Sequence, residues 1–208
     1  MQWINDLILP LEKGDTGLTS AYYVGLHEFE DMAFAIHLLR ESDTFVDVGA
    51  NLGSYSLLAS GVTKANSIAF EPVPTTYNRL KDNIEINCLS QKIITNCIAL
   101  TTPKNVLNKK QFIFSSDRTC QNSFVDDHYK GSTTKVDVST LDIACKNIDP
   151  VLIKIDVEGF EEDLLEGASE TLHKQSLLAV IIEGQTDRMN QYFYDAGFID
   201  IQYLPTFP

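Results

Sequence analysis

The apolar residues of this chain fall into short runs that switch between two spacings. Over residues 29–40, Phe29, Met32, Ala33, Ile36 and Leu39 recur every three or four positions, which predicts an amphipathic helix. Glu41, Ser42 and Asp43 break that pattern, and residues 44–48 read as a short buried strand. Residues 49–53 form a turn, 54–60 open a second helix, and 67–71 make another apolar run that ends on the carboxylate of Glu71. Pro72 and Pro74 punctuate the chain before helical spacing returns over 75–87 through Tyr77, Leu80 and Ile84. Residues 92–98 predict a third strand.

Between residues 101 and 139 the periodicity loosens. The stretch is polar, holds Ser115-Ser116-Asp117-Arg118 and Asp126-Asp127-His128, and carries β-like pieces only at 111–114 and 134–138. An irregular segment of that length inside a compact chain is an insertion of the kind that carries function. Regular patterning resumes with a helix at 139–146, a strand at 151–155 and a helix at 160–173, whose Phe160, Leu164, Ala168 and Leu172 share one face. A strand at 177–182, a helix at 187–195 and a final strand at 198–203 complete the pattern. Strands that are apolar almost throughout, alternating with helices, predict an α/β fold: a doubly wound, mostly parallel sheet with helices on both faces. Only residues 204–208 follow, and their two prolines suit no central strand, so a final antiparallel strand is not evident. We expect a single domain over 1–208, with an N-terminal helical extension at 1–40 and the insertion at 101–138 as lids over an acceptor.

Charge narrows the range of partners. Among 208 residues, Lys and Arg number 16 and Asp and Glu 29, a formal net charge of −13, and Lys or Arg occur at most in pairs such as Lys109-Lys110. Such a chain repels a phosphate backbone, so nucleic acid is not expected as a partner. No stretch approaches the roughly 18 apolar residues of a membrane span, and the N-terminus lacks a cationic start followed by an apolar core. Cys88, Cys97, Cys120 and Cys145 form no C-x-x-C pair, which predicts free, buried thiols in a cytoplasmic protein and no zinc site.

Chemistry concentrates where predicted strands end, the edge at which doubly wound sheets bind ligands. The first strand runs into Asp47-Val48-Gly49-Ala50-Asn51-Leu52-Gly53-Ser54-Tyr55. Gly49 permits a tight turn, Asn51 tolerates positive φ, and Gly53 lets the next helix start lie close to a ligand and offer it unpaired N–H groups. A dinucleotide pyrophosphate at this turn would meet the like charge of Asp47, and the third small position of that fingerprint falls at Ser54 instead of glycine. S-adenosylmethionine brings an ammonium, a sulfonium and one carboxylate but no phosphate, and suits both signs. Glu71, 18 residues past Gly53, is placed to accept its ribose hydroxyls. Asp156 and Glu158 open onto the same edge from the 151–155 strand and Glu183 from the next; they can orient an ammonium, hold substrate hydroxyls or act as a base, and magnesium binding by three such acids stays open.

At these residues the chain resembles the FkbM-type methyltransferase family. The resemblance rests on residues 45–56, Phe70-Glu71-Pro72, Ser139-Thr140-Leu141-Asp142 and residues 153–161 in this order, with Gly25-Leu26-His27-Glu28 upstream and Glu183-Gly184 downstream. It implies a class I, Rossmann-like fold and methyl transfer from S-adenosyl-L-methionine to oxygen, on a saccharide or natural-product hydroxyl. It implies further that Asp47, Gly49, Asn51 and Gly53, with Tyr55, form the cofactor loop, that Glu71 and Pro72 take the ribose, and that Asp156 and Glu158 face the sulfonium. The expected reaction is in-line displacement, for which the protein aligns the hydroxyl, excludes water and removes a proton. Asp156 and Glu158 are the first candidates for the base, ahead of His128 and His27, whereas His37 and His173 sit in helix patterns. A nicotinamide-dependent oxidoreductase and a non-catalytic domain on the same architecture are the alternatives.

Overall fold

The computed structural model describes residues 2–10, 12, 20, 21, 23–107, 112–115 and 133–204. Helix α1 (Phe29–Leu38) leads into β1 (Thr44–Val48), α2 (Ser54–Val62), β2 (Asn66–Phe70), α3 (Pro74–Ile86) and β3 (Ile93–Asn96). There follow β4 (Ile98–Leu100), α4 (Pro103–Leu107), β5 (Phe112–Ser115), β6 (Thr133–Ser139) and α5 (Leu141–Ala144). The last third holds β7 (Leu152–Ile155), α6 (Glu161–Glu166), α7 (Ser169–Leu172), β8 (Ala179–Ile182) and α8 (Asp187–Asp195).

Five strands pair in parallel in the order β3-β2-β1-β7-β8. The winding direction reverses between β1 and β7, so a crevice opens beyond their carboxyl ends. Alternate side chains of each strand feed two cores. Phe45, Ala69, Leu152 and Ile181 pack with Met32, Leu57 and Leu80 on one face. Val46, Val48, Ile153 and Ile155 pack with Leu141, Leu164 and Met189 on the other. Burial on both faces is why these strands read as mostly apolar runs.

Four expectations are corrected. The strand expected at 92–98 divides at Cys97, because β3 stays with β2 while β4 leaves to pair with β6 in a second, three-stranded sheet of order β4-β6-β5. The two β-like pieces of the insertion are thus β5 and β6, paired antiparallel. The helix expected at 160–173 breaks at Gly167 and Ala168. There the Gly167 carbonyl accepts the Asp142 N–H, and Asp142 in turn caps α7 by accepting the N–H groups of Glu170 and Thr171 at 3.1 and 2.7 Å. Residues 198–203 form no strand. They pass the free edge of β8 across a cavity of about 480 Å³, and Tyr203 instead bonds His37 and packs edge-on against Phe34 of α1. Finally, Cys88 is exposed, Cys97 half-buried and Cys145 buried, all three as free thiols; Cys120 lies outside the described residues. Among the described residues no helix is long and apolar enough to cross a membrane.

Candidate functional site

The loop after β1 has the backbone its sequence predicts, with φ of +79° at Gly49, +50° at Asn51 and +89° at Gly53. A Cβ on Gly49 would overlap the carbonyl oxygen of Asp156, so glycine here is what lets the β1 and β7 ends converge. One on Gly53 would approach Leu80 Cδ1 to 2.5 Å. Gly53 also occupies the N-cap position of α2 and has no side chain to satisfy the first turn. Asp47 supplies that cap from the strand beneath. Its Oδ2 accepts the Ser56 N–H at 3.1 Å and the Ser56 hydroxyl at 2.6 Å, while its buried Oδ1 has no partner within the protein. One of the helix-start donors expected to face a ligand is therefore already taken.

Glu71, only 5% exposed, ties this loop to the end of β2. Its Oε2 accepts the Asn51 N–H at 3.0 Å and its Oε1 the Val73 N–H at 2.9 Å. Beside it lies a cavity onto which Gly49, Asn51, Glu71, Pro72, Asp156 and Glu158 open, walled by Val73 and by Ile98, Ala99 and Leu100 of β4. Six of the residues singled out in the sequence thus meet in one hollow at the switch point. Asp47, Gly53 and Tyr55 stand behind it and support it instead of lining it.

Sequence reading missed what holds the far side. Lys154 is 6% exposed, yet its Nζ lies 2.7 Å from Asp156 Oδ2 and 4.7 Å from the centre of the Tyr55 ring. The Tyr55 hydroxyl donates to Glu28 Oε2 at 2.5 Å, and Glu28 Oε1 stands 3.4 Å from His27 Nε2. The signal was present in Leu152-Ile153-Lys154-Ile155-Asp156, where period-two spacing puts Lys154 and Asp156 on one face. Past β7, Glu158 adopts φ of +51°, an uncommon conformation for a residue with a side chain, ahead of Gly159 at +94°. Glu183 follows β8 at the exposed rim. His173 bonds the Ser169 carbonyl, in keeping with a structural role, and His128, with Asp126 and Asp127, lies outside the described residues. Among the described residues, no group of three or more His, Cys, Asp and Glu is arranged to hold a metal ion.

The electrostatics follow from this packing. Burial pushes the Glu71 carboxyl up to about 7 against the pull of its two N–H partners, with Asp47 and Asp156 adding to the rise. Burial likewise raises Asp47, opposed by the Lys154 charge and the Ser56 bonds. Glu28 is drawn down to about 2, chiefly by its bond to His27 and despite burial, with Tyr55 and Lys154 assisting. Burial disfavours the charged form of Lys154, but Asp156, Asp47 and Glu28 outweigh it and the net shift is upward. Glu183 is raised mainly by the Asp156 charge, and Glu158 by burial and then by Asp156.

Residues 47–199 match the family model described as the methyltransferase FkbM domain. The chain belongs to that family. The family is one of methyltransferase domains, and membership implies S-adenosylmethionine as the methyl source. It is 30% identical over 146 residues to the hexuronic acid methyltransferase AglP of Haloferax volcanii, a match covering 69% of this chain and 56% of AglP. The chain thus spans little more than half the length of that relative. It is also 28% identical over 215 residues to methyltransferase sdnD of Sordaria araneosa, covering 86% of this chain and 82% of that one. Among solved structures, the precorrin-6y C5,15-methyltransferase of Geobacter metallireducens aligns with a TM-score of 0.49 at 13% identity, over 81% of this chain and 71% of that one.

Proposed function

We propose that this FkbM-type protein transfers the methyl group of S-adenosylmethionine to a hydroxyl oxygen of a saccharide or natural-product acceptor. The observation that carries the reading is the single hollow in which Glu71 and Asp156 face the 49–53 loop. The residues fit the cofactor on structural grounds. Glu71 presents a buried carboxylate to ribose hydroxyls, Pro72 and the β4 wall give the adenine an apolar slot, and Gly49 and Asn51 allow close approach of the backbone. Asp47, with its unpartnered Oδ1, and Asp156 set negative charge on the side where an ammonium and a sulfonium belong. Bound there, the cofactor supplies an electrophilic methyl on a sulfur leaving group, so the protein has to align the acceptor, keep water out and take one proton.

Asp156 or Glu158 takes that proton. Both open onto the hollow, and Glu158, raised by burial and by Asp156, is the readier base of the two. In this reading residues 1–40 and 101–138 are the lids, although 13–19 and 116–132 lie outside the described residues; Glu28, tied to Tyr55, is where the first of them reaches the Lys154 cluster. Support for a sugar comes from the hexuronic acid methyltransferase to which the chain is similar. Asp156 and Glu158 on the hollow, with Glu183 near Asp156, favour neutral or cationic hydroxyl acceptors over phosphorylated ones. Transfer of label from S-adenosylmethionine to a panel of neutral, amino and uronic sugars tests the proposal, with label expected in a base-stable ether. Calorimetric affinity for NADH with none for S-adenosylhomocysteine would overturn it, and inactivity across a broad acceptor panel would favour the binding-protein alternative.

A further inference from the structure

Lys154 is the one charged residue of β7. Leu152, Ile153 and Ile155 are fully buried, and taking an ammonium out of water beside them is costly. What surrounds Lys154 explains its presence. Asp156 Oδ2 lies 2.7 Å from Nζ, and Asp47 is its registered neighbour on β1. The Tyr55 ring from α2 covers the ammonium, and the hydroxyl of that ring holds Glu28. Asp31 on α1, and Glu158 and Glu183 in the loops after β7 and β8, also sense its charge. One buried cation thus acts on carboxylates from β1, from α1 and the segment before it, and from the ends of β7 and β8.

We propose that Lys154 is a positioning residue: its ammonium fixes the Asp156 carboxylate at the mouth of the cavity and, through the ring and hydroxyl of Tyr55, clamps Glu28 of the N-terminal segment onto the same rim. The inference rests on this hollow being the cofactor site but not on any acceptor. Lys154 keeps several neighbouring carboxylates ionised together, and an ionised rim is what receives the cofactor's ammonium. Without the counter-charge the cluster relieves its repulsion by taking up a proton, and the rim loses both charge and aim.

Binding of S-adenosylhomocysteine, measured by calorimetry over roughly pH 5 to 8, tests this without an acceptor. Lys154→Met is expected to weaken binding about tenfold at neutral pH and to move the acid-side loss of affinity upward by about one pH unit; Lys154→Arg is expected to restore the wild-type profile in large part. A folded Lys154→Met protein with a lower melting temperature but an unchanged pH profile would make the residue structural only and overturn the proposal. Tyr55→Phe keeps the ring over Lys154 but cuts the link to Glu28, and it decides the matter if the methionine variant does not fold. Amide exchange at residues 27 and 28 should then quicken about tenfold, and unchanged exchange would refute the clamp. Absence of S-adenosylhomocysteine binding by the wild-type protein would count against the cofactor site itself, a different failure from an unshifted profile.

Discussion

Glu71 joins two demands in one side chain: its burial closes the 49–53 loop onto β2, and in the proposed cofactor site it accepts ribose hydroxyls. Because its folded-state value of about 7 lies above the ordinary 4.5, the folded protein binds a proton more readily than the unfolded chain across that interval. Its contribution to stability is therefore favourable below about 4.5 and lost as pH rises through about 7. The melting temperature of Glu71→Gln should vary less with pH across this window than that of the wild type. Glu71→Ala should weaken S-adenosylhomocysteine binding by about 1–3 kcal/mol, the usual cost of losing a charge-assisted hydrogen bond; an unchanged dissociation constant would remove Glu71 from the site. Glu28 behaves oppositely, since its depressed value gives stability that is present above about 4.5 and lost as pH falls through about 2. Asp156→Asn is expected to lower the methyl-transfer rate about tenfold or more and to lower the melting temperature as well, because Lys154 loses its nearest counter-charge; full activity in a folded Asp156→Asn protein would exclude it as a base.

At the scale of elements, two devices set the geometry of the site. The first is the turn after β1, where Gly49 stands under the Asp156 carbonyl in a left-handed conformation. Gly49→Ala combines backbone strain of about 1–3 kcal/mol with overlap on the Asp156 carbonyl oxygen, so a loss of stability beyond that strain is expected, with cofactor binding falling in parallel. Calorimetric melting and S-adenosylhomocysteine titration of the same sample would check both. The second is the replacement of local caps by distant carboxylates: Asp47 caps α2 from β1, and Asp142 caps α7 across the Gly167 break. Asp142→Ala should cost about 1 kcal/mol in stability by thermal melting and leave cofactor affinity unchanged. Such tertiary caps explain why the helix expected over 160–173 divides. Its apolar face was continuous in sequence, but a turn held by Asp142 is a contact between residues about thirty positions apart.

Across the whole molecule, a formal charge of −13 surrounds a site whose cofactor is cationic. S-adenosylmethionine carries one more positive charge than S-adenosylhomocysteine, so added salt should weaken the first more than the second. Equal salt dependence of the two dissociation constants would mean that the rim carboxylates do not sense the sulfonium.

The sequence by itself determined where most strands of the parallel sheet lie, because burial on both faces demands largely apolar runs such as 44–48 and 177–182. It also singled out Gly49, Asn51, Glu71, Pro72, Asp156 and Glu158, which the fold brings to one hollow, because turn glycines and strand-end carboxylates stand out in an otherwise apolar pattern. Tertiary structure decided which carboxylate faces the hollow and which supports it: Asp47 turns under α2 to replace a cap that Gly53 cannot provide. It decided the change of partner at Cys97, and that residues 198–203 anchor on α1 through Tyr203 instead of joining β8. It also brought Glu28, Tyr55 and Lys154 together, since pairing between residues so far apart in the chain leaves no period in the sequence and exists only once the sheet and its helices are packed.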